Sequence, residues 1–122
     1  MEFIFNHVNI NITDIDRSVD FYQKALGMRV ERQKKAPDGS FILTFMEDGK
    51  SGARLAMTWL RNHQRPYDLG ENENHLAFFV EDYEKAHEFH QNMGIICYEN
   101  PAMNLYFISD PDGYWIEILK PR

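Results

Sequence analysis

The sequence predicts an α+β protein made of two βαβββ modules that form a curled mixed sheet around a cavity. Two observations carry this expectation. His7-Val8-Asn9-Ile10-Asn11-Ile12 and His75-Leu76-Ala77-Phe78-Phe79-Val80 lie 68 residues apart, and Asp14/Asp82, Phe21/Phe89 and Gln23/Gln91 match at the same spacing. The order of alternating segment, helical segment and three further alternating segments also occurs twice. The 122 residues therefore read as one domain of two repeats, about 1–60 and 74–122, joined by a polar linker over 61–73 that contains Pro66 and Gly70.

Taken in order, the first strand is expected over about residues 3–12, with Val8, Ile10 and Ile12 on its apolar face and His7, Asn9 and Asn11 on the other. Asp14 is placed to cap a helix in which Ile15, Ser18, Val19, Tyr22, Ala25 and Leu26 recur at helical spacing, and Gly27 fits its end. Strands near 28–34, 40–47 and 53–60 follow, with Pro37-Asp38-Gly39 and Asp48-Gly49 as turns. The second module predicts a strand over 74–80 and a helix over about 82–92 that ends at Gly94. Its last three strands fall near 95–98, 103–109 and 114–120, and Asp110-Pro111-Asp112-Gly113 forms the final turn.

Composition narrows the classes of function. A hydrophobic share of 43% and a charged share of 26% describe a globular chain. The net charge of −6, with both signs interspersed, argues against a nucleic-acid partner, and nothing resembles a polybasic membrane patch or a membrane-spanning run. The single cysteine, Cys97, allows no intrachain disulfide, and residues 1–6 lack a signal-peptide pattern, so a cytoplasmic location is expected.

The repeat also suggests chemistry. Duplication sets matching residues around a pseudo-two-fold axis, so His7 and His75 can converge, and convergent imidazoles suit a metal. The closing strands overlay at an offset of 61, with Leu55 and Met57 matching Ile116 and Ile118. Between them Glu117, an acid in an otherwise apolar strand, matches Ala56. A buried carboxylate needs a partner or an open cavity, so His7, His75 and Glu117 form a candidate three-ligand set whose symmetric fourth member would have stood at Ala56.

The βαβββ repeat, Ser18-Val19-Asp20-Phe21-Tyr22, Ala25-Leu26-Gly27-Met28 and the Asp110–Glu117 segment together resemble the vicinal oxygen chelate superfamily, and most nearly its glyoxalase I branch. That resemblance spans essentially the whole chain and implies one divalent metal. In the glyoxalase branch the ligands are two histidines and two glutamates, which map onto His7, Ala56, His75 and Glu117. Three match and one departs. The branch also implies that glutamate moves a proton between neighbouring carbons, which leaves Glu117 as the carboxylate available for catalysis. Its arginine for the glutathione carboxylates maps to Asn11, so glutathione recognition by that route is lost. The resemblance further implies a homodimer in which two chains share each site.

The expected activity is that of a metal-dependent lyase or isomerase on a small α-oxo compound or its thiol adduct, with Lewis-acid stabilisation of an enediolate. Nickel or zinc is expected, with iron, cobalt and manganese equally compatible with such ligands. Two alternatives stand: a binding protein that sequesters a small molecule, favoured by Ala56, and an iron-dependent extradiol-type dioxygenase using the three-ligand set. Asn9, Asn11, Thr58, Phe79 and Trp115 fall on ligand-side faces and are candidates to contact the substrate. His87 and His90, spaced i, i+3, read as helix-face residues, His63 as a solvated loop residue, and Cys97 as a buried structural thiol.

Overall fold

The computed structural model describes residues 1–121. The chain divides into two compact units, Met1–Tyr67 and Asp68–Arg122. Unit one runs β1 (Val8–Ile12), α1 (Ile15–Leu26), β2 (Arg29–Lys35), β3 (Phe41–Glu47) and β4 (Arg54–Leu60). Unit two runs β5 (His75–Phe79), α2 (Tyr83–Met93), β6 (Ile96–Asn100), a single 3₁₀ turn at Pro101–Met103, β7 (Leu105–Ser109) and β8 (Trp115–Leu119).

The α+β class and the twice-repeated βαβββ order hold, but one element of the expectation changes. In place of one curled sheet there are two four-stranded sheets, ordered β1-β4-β3-β2 and β5-β8-β7-β6, and neither is closed. The reason lies in the ladder. In each unit the last strand returns beside the first in parallel, while the other pairings are antiparallel, so each module pairs its strands internally.

β1 is also shorter than expected, starting at Val8. Among the described residues its only sheet partner is β4, paired Val8↔Leu55, and β4 itself starts at Arg54 after Gly52, whose φ is +80°. The segment before Val8 therefore has no strand beside it, and Phe3, Ile4 and Phe5 stay exposed.

Each helix covers one face of its own sheet. Asp14 caps α1 by accepting from Arg17 N, and Asp82 caps α2 by accepting from Lys85 N, which reproduces the repeat at the level of local structure. Gly27 and Gly94 end the helices at φ of 66° and 71°, conformations that cost glycine little. In unit one Ser18, Phe21, Tyr22 and Ala25 are buried with Ile10, Ile12, Met46, Leu55 and Met57 of the sheet. In unit two Tyr106, Ile108, Ile116 and Ile118 are buried, and His90 of α2 is held by Tyr106 Oη at 2.7 Å. Alternation leaves the opposite faces of the two sheets to carry the rows that begin at His7 and His75, polar along β1 (Asn9, Asn11) and largely apolar along β5 (Ala77, Phe79).

The turn that delivers β8 is organised by one carboxylate. Asp110 is 5% exposed, and its Oδ1 accepts from Asp112 N at 2.9 Å and Tyr114 N at 3.0 Å. Removing that acceptor leaves two partly buried N–H groups without it, so Asp110→Ala should lower stability by about 1–3 kcal/mol. Urea unfolding read by circular dichroism checks this, and an unchanged midpoint would show that the turn does not depend on Asp110.

Candidate metal centre

The parallel ladders place equivalent residues in equivalent registers. Leu76 pairs with Ile116 and Ala77 with Glu117 in unit two, just as Val8 pairs with Leu55 and Asn9 with Ala56 in unit one. His75 thus lies diagonal to Glu117 across a parallel pair, and Ala56 is its unit-one counterpart. In unit two the diagonal closes: His75 Nε2 is 3.2 Å from Glu117 Oε1. Their side chains are 38% and 17% exposed, so the pair is half sheltered and still reachable.

A ring fixes each histidine. His75 meets Phe107 edge to face at 5.1 Å and 85°, and His7 meets Phe45 the same way at 5.5 Å and 86°. Phe107 and Phe45 are the β7 and β3 partners of Glu117 and Ala56, so the device is duplicated. The repeat shows this pairing, since Phe45 and Phe107 lie 62 residues apart, but an alternating strand gives no sign that the phenylalanine supports an imidazole. His7 Nδ1 lies 2.5 Å from Asn6 Oδ1. That oxygen accepts, so Nδ1 is the donor of the pair.

The spacing of His75 and Glu117 is compatible with two ligands of one divalent ion. Two donors each about 2.0–2.1 Å from a metal stand about 2.9 Å apart at a right angle and about 3.4 Å apart at the tetrahedral angle. The 3.2 Å between His75 and Glu117 lies inside that range. Among the described residues no group of three or more His, Cys, Asp or Glu is gathered as a metal shell, so His75 and Glu117 are brought together while Ala56 offers no ligand.

The remaining candidates separate. Thr58 Oγ1 donates to Asn9 Oδ1 at 2.5 Å, and Asn9 Nδ2 donates to Asn11 Oδ1 at 3.0 Å, forming a polar relay along the His7 face. Trp115 stacks with Tyr98 at 6.2 Å and lines a cavity of about 270 Å³ together with Glu71, Asn72, Glu73, His75 and Phe107. Phe79 is 63% exposed at the end of the edge strand β5 and lies outside that lining. The loop wall was not foreseen: Asn72 adopts φ 56°, and its side chain donates to Gly113 O at 2.9 Å, which ties residues 71–73 to the turn before β8.

His87 pairs with Glu99 and His90 is buried against Tyr106, so neither stands on the His75 face. His63 stacks on Tyr67 at 3.7 Å rather than facing water, with Nε2 unpaired. Cys97 sits in the β6 register shift and is exposed, not buried, because the bulge turns it out of the ladder. Burial of the thiol itself nevertheless pushes its pKa up, and Sγ donates to Phe107 O.

Comparisons with known proteins bear on the family and the fold. The family described as the Glyoxalase/Bleomycin resistance protein/Dioxygenase superfamily matches residues 4–118. A "Probable lactoylglutathione lyase" of Synechocystis sp. is 34% identical over 93% of this chain and 92% of its own length. The lactoylglutathione lyase of Neisseria meningitidis serogroup A is 32% identical over 95% of this chain and 89% of its own. Among solved structures, the trypanothione-dependent glyoxalase I of Leishmania major superposes with a TM-score of 0.87 at 32% identity, covering 98% of this chain and 87% of that one.

A raised pKa means less thiolate at a given pH, so native Cys97 should react with iodoacetamide at pH 8 more slowly than in urea-unfolded protein. The gap should close as the pH rises through the elevated value. Equal rates at pH 8 would contradict the sheltered thiol.

Proposed function

The chain belongs to the Glyoxalase/Bleomycin resistance protein/Dioxygenase superfamily, and from that premise we propose that it is a metal-dependent lyase or isomerase of the glyoxalase type. Its substrate is a small α-oxo compound or its thiol adduct. The observation that carries this reading is the 3.2 Å His75–Glu117 pair beside a cavity of about 270 Å³. Names of relatives support the reaction class: lactoylglutathione lyases recur among them.

His75, Glu117 and His7 would hold the ion, nickel or zinc first, with iron, cobalt and manganese as alternatives. When bound, the metal supplies Lewis-acid polarisation of a carbonyl oxygen. The chain's own residues do the rest. Glu117 takes a proton at Oε1 from the carbon beside the carbonyl and returns it to the neighbouring carbon, as a general base and then a general acid. Phe107 keeps the His75 ring from turning away. Trp115 and Phe107 form an apolar wall that keeps water off the reacting carbons, and the Thr58–Asn9–Asn11 relay orients polar substrate groups. The active assembly is a homodimer.

A second reading has a specific observation behind it. Ala56, fully buried at the position equivalent to Glu117, removes one carboxylate, and a site with fewer ligands suits a protein that sequesters a small molecule without turnover.

Two experiments separate these readings. Purified protein incubated with nickel, zinc, manganese or iron should retain metal after gel filtration, and His75→Ala should lose most of it; a native protein that retains none contradicts every metal-dependent reading. Metal-loaded protein should convert the methylglyoxal–glutathione adduct weakly or not at all, and Ala56→Glu should raise that activity. High activity in the unaltered protein would show that the alanine is no handicap, whereas retained metal without turnover on any α-oxo adduct would favour sequestration.

A further inference from the structure

The repeat places a crevice at the same point of both modules, and the two crevices are lined differently. In unit one a cavity of about 420 Å³ lies between the start of α1 and strands β2 and β3, with Ile15, Asp16, Gln33 and Lys35 in its lining. In unit two a cavity of about 320 Å³ lies between α2 and β6, lined by Tyr83, Glu84, His87 and Glu99, with Pro101 and Leu105 beside the 3₁₀ turn. Tyr83 and Glu84 stand 68 residues after Ile15 and Asp16, and Glu99 pairs with Tyr106 as Gln33 pairs with Thr44. The crevice thus follows from the module plan. Its lining does not: a phenol, an imidazole and a carboxylate stand in unit two where unit one has Ile15, Val19 and Gln33.

The unit-two lining is held in place. Tyr106, fully buried, meets the Tyr83 ring edge to face at 5.5 Å and the His87 ring at 5.1 Å. His87 Nε2 in turn engages Glu99. Burial, and after it the charges of Glu99 and Glu84, push the pKa of the Tyr83 hydroxyl up, so both carboxylates are felt at the phenol. Lys120 shows how the rim treats an ammonium: its Nζ is 3.4 Å from Glu84 and lies over the Tyr83 ring, 5.4 Å from the centroid. Such an exposed ion pair contributes about 0–1 kcal/mol and yields readily to a competitor. Glu99 and Tyr106 lie on the side of the sheet that α2 covers, whereas Phe107, the next residue of β7, supports His75 on the other side.

We propose that this cavity is a separate binding site for a small organic cation, a primary ammonium on an apolar body. The ammonium sits among Glu84, Glu99 and the face of Tyr83, and the apolar body rests on Pro101 and Leu105. The volume suits a small ligand. The site uses no metal and does not rest on the glyoxalase-type reading.

The test is NMR titration of the whole chain, with and without bound zinc, using 2-phenylethylamine, 2-phenylethanol and 3-phenylpropionate. The three share a ring and differ in charge. Only the amine should shift the amides of residues 83–87 and 99–105, and it should do so alike with and without zinc. Glu99→Gln should weaken its binding by about three- to tenfold, the size of one partly exposed charge-assisted contact. Lys120→Met should tighten binding by up to about fivefold, because the internal competitor is gone. Asp16→Asn, at the unit-one crevice, should leave the affinity unchanged. Equal binding of amine and alcohol would make the cavity a plain apolar pocket and overturn the proposal. Shifts that ignore Glu99→Gln, or that weaken as much with Asp16→Asn, would mark non-specific attraction and overturn it too. So would an amine that fails to bind, or one that binds only when zinc is present, which would place it at the metal.

Discussion

The parallel pairing of the first and last strands of each module is the constraint on which the rest depends. It joins two segments some forty residues apart and fixes their register, so that His75 falls one step diagonal to Glu117 and not opposite it. A slip of one residue would turn Glu117 toward Tyr106 and α2 and expose Ile116 and Ile118. Those two isoleucines are fully buried or nearly so, and their burial, at about 1.5–3 kcal/mol each, resists such a slip. The hydrophobic face of β8 thus positions the opposite face, and a packing energy fixes the spacing of His75 and Glu117.

The same ladder in the first module gives a different result from the same plan. Its histidine, its supporting phenylalanine and its register are all retained, but the residue diagonal to the histidine is Ala56. The two faces have diverged around conserved geometry. One bears a carboxylate, stacked aromatics and a cavity; the other bears an amide–hydroxyl relay and the Arg32 guanidinium over Phe45.

Most of this plan was legible in the sequence because it rests on local or periodic signals. Asp14, Gly27 and Gly94 marked the helices, since caps act within one turn, and the cap at Asp82 is the repeat partner of Asp14. Glu117 stood out because a carboxylate inside Trp-Ile-Glu-Ile-Leu breaks an apolar pattern, and its match to Ala56 followed from the repeat. What stayed hidden depends on distant partners. β1 begins at Val8 because β4 supplies nothing earlier, a fact absent from the alternation of residues 3–12. Phe79 shares the alternation of His75, yet it lies exposed at a sheet edge that no local pattern announces. The cavity wall at Glu71–Glu73 depends on Asn72 reaching Gly113, a contact across 41 residues. The bulge at Glu31 shifts the register of β2 just before Arg32, which delivers that residue onto the Phe45 ring.

The central claim is that two imidazoles from equivalent strands and one carboxylate share a metal. Pulsed electron paramagnetic resonance of the copper(II)-loaded protein counts coordinated imidazoles directly. The account predicts two in the unaltered protein, and one in each of His7→Ala and His75→Ala. A single imidazole in the unaltered protein, or a count that either substitution leaves unchanged, would contradict it.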